Sequence, residues 1–124
     1  MTIKLTVVGL TCALLTAAAT AQAQGLLFQP WDTMTPLSAE DRAMIRDAVQ
    51  QRIHGKPAGT VATWKNPGPG GHSGTITLLS KSTREGMPCE RIEYKTVEPS
   101  GAQLHGNYVF TSCQLPDGSW KLAD

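Results

Sequence analysis

The chain has 124 residues, 11 Lys and Arg against 10 Asp and Glu, and a formal net charge of +1. Near-neutrality with no basic run gives no footprint for nucleic acid or for an anionic membrane surface. Only one segment, at the amino terminus, combines length and apolarity, and it is short for a span.

That segment reads as a secretory signal peptide over residues 1–23. Lys4 is the only charge before Asp32. An apolar stretch of about 15 residues follows, against about 20 for a membrane-spanning helix. Ala21-Gln22-Ala23 then supplies an A-x-A site, so cleavage is expected before Gln24. The alternatives are an uncleaved anchor and a lipoprotein on Cys12, whose preceding Gly9-Leu10-Thr11 fits a lipidation box poorly. Cleavage leaves about 100 residues, one domain with a modest core that gains from a staple. It also removes Cys12. Cys89 and Cys113 remain, and an even count in a small exported domain reads as a disulfide. Their spacing lacks the paired C-x-x-C pattern of a structural zinc site, and zinc would need two further ligands.

Residues 24–36 read as an irregular leader, in which Phe28 and Trp31 either tuck against the domain or mark a partner contact. Residues 37–124 read as a single α+β domain: one N-terminal amphipathic helix packed on a small antiparallel sheet of about five strands, with one disulfide. Ser38 is the expected N-cap, and Asp41 completes an acidic variant of the capping box. Leu37, Met44, Ile45, Ala48, Val49 and Ile53 recur at helical spacing, and the helix should end near His54-Gly55, before Pro57. Strands are expected over Ala58–Lys65, Gly74–Lys81, Cys89–Val97 and Leu104–Gln114, with a short last one at Trp120 and Leu122. The Pro- and Gly-rich stretch Asn66–Gly74 reads as a mobile hairpin loop, Ser82–Pro88 as a turn, and Pro116-Asp117-Gly118 as another.

A hairpin centred on Gly101 sets Ile92 opposite Phe110, Tyr94 opposite Tyr108 and Lys95 opposite Asn107. The same register sets Cys89 opposite Cys113. Slipping it by one residue would turn Ile92 and Tyr94 away from the core. Strict alternation then puts the disulfide on the polar face with Arg91 and Glu93, unless a bulge near Cys89 turns it inward.

Four segments in order carry a resemblance: Trp64-Lys65-Asn66-Pro67; Gly71-His72-Ser73-Gly74-Thr75-Ile76; Cys89-Glu90-Arg91-Ile92-Glu93-Tyr94; and Cys113 through Pro116-Asp117-Gly118-Ser119-Trp120. Over residues 60–122 the chain resembles the surface antigen domain of bacterial outer-membrane proteins, the 17 kDa rickettsial surface antigen type. The family pattern is W-x-N-P, a glycine-flanked strand, C-R-E-[FY] and a closing C-[RQ]-x-x-D-G-x-W. Cys89-Glu90-Arg91 inverts the order after the cysteine, and the namesake's glycine-zipper segment is missing. The resemblance implies an exported envelope protein, periplasmic or associated with the outer membrane, with an envelope protein or outer-membrane component as partner. It implies no catalytic activity.

The residues themselves offer little chemistry. His54, His72 and His105 would make a metal trio only if the fold gathered them, so no metal or cofactor is expected. Ser73 lacks the G-x-S-x-G spacing and the helix of a nucleophile elbow. Glu90 and Glu93 fall on opposite strand faces and cannot flank one bond. The expectation is a non-catalytic structural or interaction module, with Trp64 beside its loop and Trp120 beside the Pro116-Asp117-Gly118 turn as candidate anchors. The alternative is a small periplasmic inhibitor or ligand binder, using loop 66–74 with His72 and Ser73.

Overall fold

The structure, a computed structural model, describes residues 28–34, 37–99 and 103–124, and of 103–106 only the backbone. The expected signal peptide, the start of the leader, Pro36 and the hairpin tip at Gly101 lie outside the described residues. Among the described residues one helix, α1 (Ala39–Arg52), precedes five strands: β1 (Val61–Lys65), β2 (Ser73–Arg84), β3 (Met87–Val97), β4 (Gln103–Gln114) and β5 (Trp120–Leu122). The strands form one antiparallel sheet in chain order. A 3-10 turn, Pro30–Asp32, lies ahead of the helix. No helix of the described residues is long and apolar enough to cross a membrane.

The helix begins as its sequence dictates. The Asp41 N–H donates to Ser38 Oγ (3.1 Å), and the Ser38 N–H donates to Asp41 Oδ2 (3.0 Å), a reciprocal capping box. Its apolar stripe, Ile45, Ala48, Val49 and Ile53, is buried with Ala62, Trp64, Ile76, Leu78, Ile92 and Tyr94 of the sheet. Fully burying an aliphatic side chain contributes about 1.5–3 kcal/mol, so this stripe is the main attachment of the helix. Trp31 and Met34 of the leader join the same core with Leu37, whereas Phe28 is exposed.

The β3–β4 register is the expected one: Ile92 faces Phe110, Tyr94 faces Tyr108, Lys95 faces Asn107 and Cys89 faces Cys113. Tyr94 meets Phe110 edge-on, with ring centroids 6.2 Å apart. The register shifts only beyond Lys95, toward the tip. The β3–β4 pairing runs without a bulge from Cys89 to Lys95, so the disulfide lies on the face opposite Ile92 and Tyr94. Both cysteines are nonetheless buried there, with Cα atoms 4.0 Å apart.

The β2–β3 hairpin differs from expectation. The expected turn over Ser82–Pro88 shrinks to Glu85-Gly86, with φ of 51° and 77°, the backbone of a two-residue type I′ turn. Glutamate is not a residue that advertises a left-handed conformation, so the strand reaches Arg84 where the sequence suggested an end at Lys81. A bulge between Leu78 and Ser80 leaves Leu79 unpaired and exposed. The β4–β5 turn follows its sequence: Gly118 N donates to Leu115 O (2.9 Å), Leu115 N donates to Ser119 O (2.7 Å), and Gly118 has φ of 90°. This is the three-residue connection with a glycine bulge.

Candidate functional site

Two acidic side chains are buried in the described structure, Asp41 and Glu90, and each holds a histidine. Asp41 lies in the first turn of α1 with no exposed surface. Besides Ser38 N, it accepts from Asn66 Nδ2 (2.8 Å) and His72 N (3.2 Å) at Oδ1. Its Oδ2 meets His72 Nδ1 at 2.7 Å. Burial opposes the charged form, but the hydrogen bonds from Asn66, Ser38 and His72 outweigh it and hold the carboxyl down at about 2. The positive end of the helix acts in the same direction.

These contacts correct the expectation of a mobile loop. Both ends of the loop after β1 are tied to α1 through Asn66 and His72. Asn66 N donates to His72 O (2.9 Å), Gly68 N to Asn66 Oδ1 (3.0 Å) and Gly71 N to Gly68 O (3.0 Å). A buried carboxylate thus organises a segment whose composition, by itself, suggests freedom.

Glu90 is the other acid. It stands on β3 on the core side with Ile92 and Tyr94, and 1% of it is exposed. Its Oε1 meets His54 Nδ1 at 2.6 Å, and its Oε2 accepts from Gly55 N at 3.0 Å. It therefore closes the carboxyl end of the helix. Burial, and secondarily the Glu90 charge, push the Tyr94 hydroxyl above its usual range. The His54 ring lies parallel to the Trp120 indole, with centroids 4.0 Å apart. The Trp120 carbonyl accepts from Gln29 Nε2 at 2.9 Å. Glu90, His54, Trp120 and Gln29 thus link the central strand, the helix, the last strand and the leader.

Around this linkage opens a cleft of about 600 Å³, within the size range of small-ligand sites. Arg46, Gln50 and His54 form its helical wall, Trp31 and Asp32 the leader wall, and Asp117 to Trp120 the turn wall. The four-residue spacing of Arg46 and Gln50 puts them in one row on the helix, and His54 follows in the turn just past its end.

Of the sequence-derived binding candidates, Trp120 lines this cleft. Trp64 is in the core, 5% exposed, with its indole Nε1 against Gly74. His72 is turned onto Asp41, and its side chain is 12% exposed. Ser73 opens β2, half-buried, between Lys65 and Val97. The structure thus does not bring Trp64, His72 and Ser73 to the cleft that holds Trp120. Among the described residues no three His, Cys, Asp or Glu side chains gather as a metal site. The His105 side chain lies outside them.

Sequence reasoning missed Gln29, Arg46, Gln50 and the role of Glu90. The register did carry a signal for Glu90, since it placed an acid on the same face as Ile92 and Tyr94. Arg46 and Gln50 carried only their spacing. Comparison with known proteins finds no matching family model, no matching curated protein and no matching solved structure.

Proposed function

We propose that the chain is an exported, non-catalytic interaction module of the cell envelope, and that its binding site is the cleft beside Trp120. The observation that carries this reading is the Trp120–His54 stack at the cleft wall, fixed from behind by buried Glu90. A rigid aromatic anchor among polar groups is the usual centre of a recognition site. The carboxylate–histidine pairs also have the form of general bases. Here those pairs fix the two rings within the fold, His54 on Glu90 and His72 on Asp41. Export and envelope location rest on the signal-peptide pattern and on the resemblance to bacterial surface antigens. The partner is then an envelope protein or an outer-membrane component.

The alternative, an inhibitor or ligand binder acting through loop 66–74, gains one observation. That loop is held in shape by Asp41, and a preorganised loop loses less entropy on entering a partner's cleft. One capture experiment separates the two readings. The immobilised protein is exposed to solubilised envelope as wild type, as Gln50→Trp, which fills the cleft from an exposed position, and as Ser73→Ala. Loss of capture in Gln50→Trp alone is expected. Loss in Ser73→Ala alone would transfer the site to the loop.

A further inference from the structure

We infer that the cleft recognises a zwitterionic ligand of short-peptide size, its carboxylate on the helical wall and its ammonium on the two turn walls; this rests on the cleft being the binding site. The charges around the cleft are sorted by element. The helical wall carries the cation. Arg46 is exposed, and its one ion pair among the described residues is Asp47 through Nε at 3.8 Å, which leaves the guanidinium fork for a carboxylate. One turn further along, Gln50 adds an exposed amide.

The two opposing walls carry the anions. Asp32 closes the 3-10 turn, where its Oδ2 accepts from Gln29 N at 2.9 Å. Asp117 sits in the β4–β5 turn, where its Oδ1 accepts from Ser119 N (2.9 Å) and Ser119 Oγ (2.6 Å). Each carboxylate uses one oxygen to fix its own turn, so each negative charge is held in place at the rim. Bonds from the Ser119 side chain and backbone hold the Asp117 carboxyl below its ordinary range, so it stays charged. A ligand with a single charge would satisfy one wall and oppose the other, whereas one carrying both charges is complementary to the whole cleft. Trp120, on the β4–β5 turn wall, suits an apolar or aromatic body.

The test uses three probes that share one skeleton: the dipeptide Gly-Phe, its N-acetyl derivative and its C-terminal amide. The readout is the NMR shift of the Trp120 indole N–H during titration. Gly-Phe should bind at least about tenfold more tightly than either single-charge analogue. Arg46→Gln should weaken Gly-Phe and leave the amide unaffected, while Asp117→Asn should weaken Gly-Phe and leave the acetylated probe unaffected. Both positions are exposed, and unchanged spectra elsewhere would show that the variants remain folded. Equal binding of all three probes, or no Trp120 shift at about 10 mM, far weaker than a typical site, would overturn the inference. Capture that Gln50→Trp abolishes but Gly-Phe never competes would sink the ligand class alone. Gly-Phe binding with capture intact in Gln50→Trp would sink the proposed function alone.

Discussion

Replacing Asp41 with Asn tests the claim that one buried carboxylate organises the helix start and the loop together. Asn has the same shape but no charge, and one of its two acceptor oxygens becomes a donor facing donors. The carboxyl lies at about 2 in the folded protein, against an ordinary value of 3.8. At 1.36 kcal/mol per unit, the charged form contributes about 2 kcal/mol. Because the folded value is the lower one, this stability is fully present above pH 3.8 and is lost as pH falls toward 2. Misplaced donors at a buried site add about 1–3 kcal/mol to the loss. Urea unfolding of wild type and Asp41→Asn should therefore differ by about 3–5 kcal/mol at pH 7. The gap should narrow by about 2 kcal/mol between pH 5 and pH 2. Other carboxylates titrate in both proteins and cancel in the difference. Parallel curves over that range would refute the role given to the Asp41 charge.

The Cys89–Cys113 bond closes a separation of 24 residues, worth roughly 3.5 kcal/mol by the loop-entropy relation; melting of the oxidised and reduced protein should show it, and equal midpoints would argue otherwise. Gly74→Ala would drive a methyl into the Lys95 carbonyl and to 2.8 Å from the Trp64 indole nitrogen, so a loss of about 1–3 kcal/mol is expected in the same assay. Arg52 Nη2 donates to the Thr63 carbonyl on β1 at 2.7 Å, covering an outward-facing acceptor on the edge strand. Arg52→Ala should raise self-association in sedimentation experiments, and an unchanged monomer fraction would count against that role.

How much of this was legible depends on the range of the interaction that decides it. The Ser38–Asp41 box is local and was read from four residues. The β3–β4 register was also readable, because Ile92, Tyr94, Tyr108, Phe110 and two cysteines all demand the same alignment. The Glu85-Gly86 turn was not, since its left-handed glutamate is imposed by the long strands on either side. The further partners of Asp41 lie 25 and 31 residues away, and nothing near Asn66 or His72 announces an acid. Trp64 illustrates the same limit from the other side. An aromatic residue beside a glycine loop looks like an anchor, and only the packing shows its ring turned into the core. The cleft combines all these difficulties, as its three walls come from the leader, the helix and the last turn.

The bond from Gln29 to the Trp120 carbonyl spans 91 residues and joins the first described segment to the last strand. It acts as a buckle on a belt: the leader closes the open side of β5, and in the same stroke completes the third wall of the cleft. Trimming the chain to begin after the 3-10 turn would therefore be more than a loss of Trp31 from the core. It would unfasten the sheet's far edge and dismantle the cleft together, so the segment from Gln29 to Asp32 is a structural part of the domain.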